Sequence, residues 1–373
     1  MSFFLIKYLR KIQLFFIVTA MPFYLGTTYD LPNKDIYNGG KVTTDMNLKE
    51  FEKSNSKCAV LFMDISNGEI IYIYNRPFIV ENKYTPGSIA KPWSALLFMH
   101  YEKELFFDKT IKIDCSGKHY LTSGLKISTI DSETFNLPKD NQGHQYFRCS
   151  LRDGHGEINL HQAIVKSCND FFLTAASKNP EKFYTLFQHT FSLSHGTDAV
   201  LLSPGEKPFV QKKELTSPFR YAASSIGEGG LITCSPLKAA QIYSAIFANG
   251  RIPIPFERPL PPSNLNRNFF FSSKNINFVY AALRDTVKEG TLKNLSGGDK
   301  VTILAGKSGT ATIYGERYRT HGWNILHIGH NNKEYVLVSF VEKGSGSKEA
   351  LRLSSILLEN IADIIAEYEK VKV

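Results

Sequence analysis

The stretch YTPGSIAKPW, at residues 84–93, places a serine and a lysine three positions apart, behind Pro-Gly and ahead of a second proline. If a helix begins here, the backbone N–H of Ser88 is free to bind an anion, and Lys91 lies on the same helical face, within reach of the Ser88 hydroxyl. A neutral Lys91 would accept the hydroxyl proton and make Ser88 a nucleophile. The same Ser-x-x-Lys spacing occurs elsewhere, as at residues 54–57 and 123–126, so this stretch does not decide the chemistry alone.

Two further short elements follow in order along the chain, Ser167-Cys-Asn169 and Lys307-Ser-Gly-Thr310. We expect Ser167 and Asn169 to lie on a turn between helices, where they would relay a proton to a leaving amine and hold a substrate amide. The lysine element follows an apolar run and is expected on an edge strand, where it would bind a substrate carboxylate. The backbone N–H groups of Ser88 and Thr310 would form an oxyanion hole.

Each of these elements has a simpler interpretation when it is taken alone. Ser-x-Asn is common in turns, and Lys-Ser-Gly after an apolar run is common at the end of a strand. The ordered set favours a catalytic site, because each member falls where its role requires: a helix start, a turn between helices and a strand next to glycine. Proton transfer to Lys91 requires a lowered lysine pKa, which partial burial and nearby cations such as Lys307 would supply.

The ordered set resembles the S-x-x-K, S-x-N and K-[ST]-G motifs of the penicillin-binding protein transpeptidase domain, a family of serine acyl enzymes related to the β-lactamases. The resemblance extends over roughly residues 57–370. TPGSIAKP is similar to the family's PGSTFKP, and GKSGTATIY with HGWNILHIG is similar to KTGTAQ with HAWFVGYAP. YFRCSLRDGHGEINLHQAIVKSCNDFF resembles class B members, especially the elongation type, in which GHG and an SC[ND] ending recur.

The resemblance implies two sets of site residues. Ser88 would be the acylated nucleophile and Lys91 its base, and the full set with catalytic roles is Ser88, Lys91, Ser167, Asn169 and Lys307. The residues that would bind the substrate carboxylate and oxyanion are Ser308, Gly309 and Thr310. Gly227 and Gly229 would mark a loop at the same cleft, whereas Trp323 is expected to pack in the core.

Two features depart from the family pattern. SIAK lacks the usual Thr or Phe between the serine and the lysine, and the second motif lies farther from the first than usual, which indicates an insertion within residues 111–150. From the 56 residues that precede residue 57, we also expect neither a glycosyltransferase domain nor an N-terminal dimerisation module. We therefore expect a partner glycosyltransferase to synthesise the glycan strands.

Apolar patterns along the chain predict an α+β fold. CAVLFMDISNGEIIYIYN predicts a hairpin of two strands, and VTILAGKSGTATIY, THGWNILHIGHNN and EYVLVSFVEKG predict three successive strands. SKEALRLSSILLENIADIIAEYEK predicts an amphipathic C-terminal helix, and residues 107–155 predict loops and short strands. Helices before and after the strands favour an antiparallel sheet flanked by helices, with a largely helical subdomain as in the resembled family.

The chain is expected to have three parts. Residues 1–26 carry basic residues before a short apolar run, which predicts a secretory signal peptide or a signal anchor, either cleaved or retained. Residues 27–56 are polar and turn-rich and predict a linker, and residues 57–373 form the transpeptidase domain. Positive charge before the apolar run places the N-terminus in the cytoplasm and the remainder in the cell envelope, on the outer side of the cytoplasmic membrane.

Composition narrows the class of partner. The 43% of hydrophobic residues is enough for a sizeable core, so the chain is globular. The formal net charge of +9 comes from scattered lysines and arginines, which indicates a solvated surface, with attraction to an anionic envelope polymer or membrane face as the alternative. Because the sequence has no basic stripe with interleaved aromatic residues, we expect no binding of nucleic acid.

The cysteines are scattered along the chain as Cys58, Cys115, Cys149, Cys168 and Cys234, and they form no C-x-x-C pair. This spacing argues against a zinc site or a redox dithiol, and we expect neither a metal nor a cofactor. In an exported protein, Cys115 and Cys149 bracket one polar segment and are candidates for a disulfide, with two free thiols as the alternative.

The resemblance implies a peptidoglycan D,D-transpeptidase, in which Ser88 attacks the D-Ala-D-Ala carbonyl of a stem peptide and an amine of a neighbouring stem peptide resolves the acyl enzyme. β-Lactams would mimic the dipeptide and inhibit the enzyme by trapping Ser88. With water as the acceptor, the same chemistry gives a D,D-carboxypeptidase or a β-lactamase. A non-catalytic β-lactam sensor or cell-wall scaffold is the alternative from another class, and the complete set of serines and lysines disfavours it.

Overall fold

The computed structural model describes residues 43–54, 56–120, 137–191, 194–195, 217–257, 267–297, 301–313 and 319–370. Its helices are α1 Thr43–Ser54, α2 Arg76–Val80, α3 Lys91–His100, α4 Leu160–Val165, α5 Asn169–Ser177, α6 Pro180–Phe191, α7 Pro218–Ala223, α8 Pro236–Phe247, α9 Ser273–Lys288 and α10 Glu349–Lys370. Short 3-10 helices cover Gly87–Ala90 and Ser224–Ile226.

The strands are β1 Cys58–Asp64, β2 Ile70–Tyr74, β3 Ile113–Cys115, β4 Lys118–Tyr120, β5 Tyr146–Arg148, β6 Gly156–Ile158, β7 Ser194–His195, β8 Ile232–Thr233, β9 Arg251–Ile252, β10 Arg267–Asn268, β11 Thr302–Thr312, β12 Thr320–His330 and β13 Lys333–Val341. The predicted signal segment, residues 1–26, lies outside the described part of the chain. Within the ranges given above, no helix combines the length and the apolar character needed to cross a bilayer.

A five-stranded antiparallel sheet organises the fold. Its strand order is β11-β12-β13-β1-β2, so β11, which carries Lys307, is an edge strand as predicted. The register pairs Cys58 of β1 with Val341 of β13, so the N-terminal hairpin completes a sheet that the C-terminal strands begin. The predicted α+β fold with an antiparallel sheet is confirmed.

The central strands are buried on both faces of the sheet. Because side chains alternate along a strand, Leu61 and Met63 of β1 pack into the core shared with the helical subdomain, whereas Val60 and Phe62 pack into a second core under α1 and α10. A strand with two buried faces needs apolar residues at every position. This requirement explains the uninterrupted apolar run that made β1 recognisable in the sequence.

The helical subdomain packs against one face of the sheet and contains α3 at its centre. Nearly all of α3 is buried, and its Trp93 contacts the rings of Phe187, Phe191 and Tyr243. The helix that begins at Lys91 is therefore fixed by aromatic packing on several sides. Residues 107–155, where described, contain the short strands β3, β4 and β5, in agreement with the prediction of loops and short strands. β4 pairs with β5, and β3 pairs with β6, which follows residue 155 directly.

Helices α1 and α10 cover the opposite face of the sheet. The amphipathic C-terminal helix is confirmed as α10, with Leu357 and Ile361 fully buried. In α1, Leu48 and Phe51 are 0% and 2% exposed and pack into the same core. The prediction of a linker over residues 27–56 therefore needs correction for Thr43–Ser54, which form a helix of the folded domain.

Candidate active site

Ser88 and Lys91 lie at the junction of a 3-10 turn and α3. The turn Gly87–Ala90 leads directly into α3, which begins at Lys91, and Pro92 occupies the first turn of that helix, where a missing N–H costs least. The Nζ atom of Lys91 lies 2.8 Å from Oγ of Ser88. Ser88 is half-buried and Lys91 is fully buried, so the predicted pairing of the hydroxyl and the amine is present at the edge of the core.

Ser167 lies on the turn between α4 and α5, and Asn169 is the first residue of α5, directly after that turn. Nζ of Lys91 donates to the carbonyl oxygen of Ser167 at 2.8 Å and to Oδ1 of Asn169 at 2.7 Å, and it lies 3.1 Å from Oγ of Ser167. The backbone of Ser167 has φ +57°, in the left-handed region that a serine seldom adopts. The buried amine of Lys91 therefore joins the first motif to the second.

Lys307 brings the third motif to the same point. It lies on the edge strand β11, is fully buried, and donates from Nζ to Oγ of Ser167 at 2.9 Å and to the carbonyl oxygen of Ser308 at 3.1 Å. Oγ of Ser167 therefore lies between the amines of Lys91 and Lys307. Segments far apart in the sequence meet around one hydroxyl group.

Burial lowers the pKa of both lysines, because a charged amine loses its hydration there. The pKa of Lys91 falls to about 8. Burial also lowers the pKa of Lys307 well below its usual value, and the positive charge of Lys91 lowers it further. Of the two causes expected to lower the pKa of Lys91, burial and the charge of Lys307, burial is the one that acts at Lys91. The effect of the neighbouring charge falls on Lys307.

Strand β11 lies directly against the turn that carries Ser88. A Cβ atom on Gly309 would come within 2.8 Å of Cγ2 and 3.1 Å of the backbone N of Ile89. On the other side of the contact, Gly87 has φ +55°, and a Cβ atom there would lie 2.4 Å from the carbonyl oxygen of Thr310. Only residues without a side chain allow this approach, so Gly309 has a packing role that brings Thr310 next to Ser88.

Hydrogen bonds from the core hold the turn in place. Nε1 of Trp323 donates to the carbonyl oxygen of Thr85 at 3.1 Å, and Trp323 is fully buried, as predicted. The hydroxyl of Tyr243 donates to the carbonyl oxygen of Ile89 at 2.8 Å. The backbone N–H of Gly87 donates to the carbonyl oxygen of Gly227 at 3.0 Å, so the glycine loop predicted at the cleft does contact the Ser88 turn.

Ser308 and Thr310 of the third motif differ in exposure, and each has a polar neighbour. Ser308 is buried, and its Oγ lies 2.7 Å from Oγ1 of Thr291. Thr310 is exposed, and its Oγ1 accepts a hydrogen bond from the backbone N–H of Gly346 at 3.0 Å. Thr291 follows α9, and no motif in the sequence marks it as a site residue.

Ser150 is a second residue near the site that sequence reasoning missed. Its hydroxyl lies 3.2 Å from the carbonyl oxygens of both Lys166 and Ser167. Nδ2 of Asn169 donates to the carbonyl oxygen of Arg148 at 2.7 Å. The segment that follows β5 therefore supports the second motif. Its signal in the sequence is the stretch YFRCS at residues 146–150, which belongs to the segment that resembles class B members.

Cys115, Cys149, His155 and Cys168 form a cluster next to the second motif. One side-chain atom of each lies within 4.8 Å of the others. Sγ of Cys149 lies 3.6 Å from Sγ of Cys168, and Nδ1 of His155 lies 3.5 Å from the sulfurs of Cys115 and Cys149. A tetrahedral zinc ion with Zn–S bonds of about 2.3 Å would place its sulfurs roughly 3.8 Å apart, so the four side chains fit a structural zinc site.

This cluster bears on the predictions made for the cysteines. The absence of C-x-x-C argued against zinc, yet pairing of β3 with β6 places Cys115 opposite Gly156 and brings distant ligands together. A zinc ion with four protein ligands would supply structural support and no open position for chemistry, and through Cys168 it would hold the second motif. Cys115 and Cys149, the candidates for a disulfide, are free thiols in the structure. The expectation of no metal stays a prediction, beside a cluster whose spacing could hold a zinc ion.

Comparison with known proteins identifies relatives of this chain. The family model for the penicillin binding protein transpeptidase domain matches residues 110–363, which include the second and third motifs and begin after the first. A curated relative, the peptidoglycan D,D-transpeptidase MrdA of Acinetobacter baumannii, is 26% identical over 279 residues. The match covers 69% of this chain and 38% of the relative, so the chain spans less than half of the relative's length.

Solved structures share the fold. The transpeptidase domain of Burkholderia pseudomallei penicillin-binding protein 3 is 19% identical, with a TM-score of 0.58 over 86% of this chain and 92% of that chain. Pseudomonas aeruginosa PBP2, solved with WCK 5153, is 19% identical, with a TM-score of 0.60 over 86% and 76%. Helicobacter pylori PBP2, solved with MreC, is 18% identical, with a TM-score of 0.62 over 86% and 62%.

Proposed function

Because the chain belongs to the penicillin binding protein transpeptidase family, we propose that it is a serine D,D-transpeptidase that cross-links peptidoglycan stem peptides through an acyl enzyme on Ser88. The observation that supports this proposal most is the position of the Lys91 amine. It lies 2.8 Å from Oγ of Ser88 and also contacts Ser167 and Asn169. A base with a lowered pKa thus lies in contact with the hydroxyl group that would attack.

Acylation would begin when Oγ of Ser88 attacks the carbonyl carbon between the two D-Ala residues and its proton passes to a neutral Lys91. The new C–O bond leaves negative charge on the carbonyl oxygen, which the backbone N–H groups of Ser88 and Thr310 would bind. Ser167, whose Oγ lies 3.1 Å from Nζ of Lys91, would pass a proton to the departing nitrogen. Breakage of the C–N bond releases D-Ala and leaves an ester on Ser88.

Deacylation would reverse these proton transfers. The amine of a neighbouring stem peptide attacks the ester and gives up a proton to Lys91, and Oγ of Ser88 leaves and recovers a proton. The new amide bond is the cross-link. Water in place of the amine gives the product of a D,D-carboxypeptidase, and hydrolysis of a penicillin ester gives that of a β-lactamase.

The carboxylate of the substrate would influence the base through Lys307. A carboxylate bound near Lys307 and the Ser308 hydroxyl would favour the protonated form of Lys307. That cation lies near Lys91, since both amines contact Oγ of Ser167, and it would favour the neutral form of Lys91. Substrate binding would therefore help to produce the base that acylation requires.

Partners and location follow from the same proposal. A chain that acts on peptidoglycan works in the cell envelope, on the outer side of the cytoplasmic membrane, and the segment predicted at residues 1–26 would direct it there. A partner glycosyltransferase would supply the glycan strands that carry the stem peptides. β-Lactams would inhibit the protein by forming a slowly hydrolysed ester on Ser88.

Labelling with fluorescent penicillin tests the proposal. Protein that lacks residues 1–26 should form a stable adduct, and Ser88→Ala should form none. Ser273→Ala is a matched control, because Ser273 is an exposed serine at the start of α9 and should leave labelling unchanged. Equal labelling of Ser88→Ala and the wild type would exclude Ser88 as the acylated residue. Product analysis on a pentapeptide, with and without an acceptor amine, then separates transpeptidation from hydrolysis.

A further inference from the structure

The hydroxyl groups of Thr291 and Ser308 form a pair beside the proposed carboxylate site. Oγ1 of Thr291 and Oγ of Ser308 lie 2.7 Å apart, which is a normal distance for an O–H···O hydrogen bond. Two hydroxyl groups carry two protons, and the bond between them uses one. The other proton is available to a third partner. When Thr291 is the donor, the available proton is that of Ser308.

We propose that Thr291 is a positioning residue for recognition of the substrate's terminal carboxylate. Its hydroxyl donates to Oγ of Ser308 and thereby directs the Ser308 proton toward the carboxylate. The bond also polarises the Ser308 hydroxyl, which strengthens the hydrogen bond that Ser308 donates. This inference rests on the proposed function and adds a residue outside the three motifs.

The neighbours of Thr291 fix the position of its hydroxyl. A Cβ atom on Gly290 would lie 2.6 Å from the carbonyl oxygen of Val165, so the chain before Thr291 is pressed against the end of α4. Leu292 is fully buried, and its Cδ1 would lie 2.8 Å from a Cβ atom on Gly306 of β11. Thr291 is therefore wedged between the helix that leads to the second motif and the strand that carries the third.

Uncharged hydrogen-bond donors are important at the proposed carboxylate site, because the Lys307 amine is only partly available to a bound carboxylate. Its amine already donates to Oγ of Ser167 and to the carbonyl oxygen of Ser308. Burial lowers the pKa of Lys307, so a charged form costs free energy until a carboxylate is bound. A hydroxyl donor on β11 can bind the incoming carboxylate in either protonation state of Lys307.

Acylation by benzylpenicillin and by its methyl ester tests the proposal. The carboxylate of penicillin stands in for the terminal carboxylate of D-Ala-D-Ala, and the ester removes its charge. Thr291→Val keeps the shape of the side chain and removes the hydroxyl, so it should slow acylation by the acid about tenfold, because a hydrogen bond to a charged group is weakened. The rate with the ester should change less than about twofold. Thr291→Ser should restore the rate with the acid.

Two further variants separate a positioning role from a structural one. Thr302→Val alters an exposed threonine at the start of the same strand and should leave both rates unchanged. In a Ser308→Ala background, Thr291→Val should cause no additional loss with the acid, because Thr291 acts through Ser308.

Equal slowing with the acid and the ester, or no slowing with either, would overturn the inference, since a hydroxyl with only a structural role cannot distinguish the two compounds. An additional loss in the Ser308→Ala background would overturn it as well. A wild-type protein that reacts with neither compound would instead contradict the proposed function, on which the inference rests.

Discussion

Ser167 shows at the scale of one residue how the site is held together. Its φ of +57° is costly for a serine, yet its hydroxyl and carbonyl groups are held by the amines of Lys91 and Lys307. The strained backbone of Ser167 thus lies at the point where its hydroxyl is held between the two lysine amines. The motif predicted the identity of this residue, whereas its backbone conformation depends on contacts with residues far away in the sequence.

The lowered pKa of Lys91 leads to a prediction about pH. Below pH 8 the amine is mostly protonated and cannot accept the Ser88 proton, and above pH 8 it is mostly free. The acylation rate constant should therefore rise with pH and level off above about pH 8, which is the behaviour of a general base. A pH–rate profile with fluorescent penicillin checks this expectation. A profile that stays flat across this range would exclude Lys91 as the titrating base.

Gly309 supplies a second prediction at the same scale. Gly309→Ala would bring its Cβ within 2.8 Å of Ile89, and relief of that overlap must push β11 away from the Ser88 turn. We expect a loss of about 1–3 kcal/mol in stability, which is usual for overpacking, and a fall in acylation larger than the loss of folded protein explains.

The chain offers a matched control for this substitution. The nearest heavy atom to a Cβ on Gly329 of β12 would be Cδ1 of Leu304, at 3.4 Å, which is an ordinary contact. Gly329→Ala should therefore keep both the melting temperature and the acylation rate close to wild type. Similar behaviour of the two variants would show that the close approach at Gly309 is unimportant.

At the scale of helices and strands, the sequence predicted the elements whose burial leaves a long pattern. The two strands of the hairpin, the three C-terminal strands and α10 each contain an extended apolar run or stripe, because each packs against one or two cores. Helix α1 was missed because Leu48 and Phe51 are its buried anchors among mostly polar residues. The cysteine cluster was missed because its members are far apart in the sequence, and the pairing of β3 with β6 is what brings Cys115 next to His155.

The cysteine cluster predicts that the purified protein contains about one zinc ion per chain, because four N and S ligands at tetrahedral spacing would hold one ion. Cys168→Ser should reduce the zinc content and the melting temperature, and a chelator should lower the melting temperature of the wild type. Cys234→Ser is the control, because Cys234 is equally buried and free but lies outside the cluster. Elemental analysis together with thermal unfolding gives both readouts.

The protein should also be produced with ample zinc in the medium. If it then contains no zinc after purification, and a chelator does not change its melting temperature, the four side chains do not form a zinc site. A loss of zinc in Cys234→Ser equal to that in Cys168→Ser would show that the loss comes from general destabilisation.

At the scale of the whole molecule, α1 sets the start of the folded domain. A chain that begins at residue 43 keeps this helix, and a chain that begins at residue 56 loses Leu48, Phe51 and the hydrogen bonds to Glu52. Burial of each apolar side chain contributes about 1.5–3 kcal/mol, so the shorter chain should be less stable by several kcal/mol. Urea unfolding of the two chains measures the difference. Identical urea midpoints for the two chains would show that residues 43–54 do not stabilise the domain and belong to the linker.

The overall class of the molecule was predicted better than its boundary. Three ordered motifs and their apolar surroundings identified the family and the α+β fold, since both depend on patterns that persist along the chain. The start of the domain depends instead on whether α1, a mostly polar segment, packs against a surface of the folded protein. That surface is made by α10 and the sheet, and it exists only after the rest of the molecule has folded.

The pairing of β1 with β13 determines when this protein can fold during its synthesis. Cys58 lies opposite Val341, so the middle of the sheet cannot close until residue 341 has left the ribosome. Contacts between such distant parts of a sequence form slowly, because a long loop must close first. Until then the sheet of the nascent chain is incomplete, and an incompletely folded polypeptide can be threaded through a secretion channel.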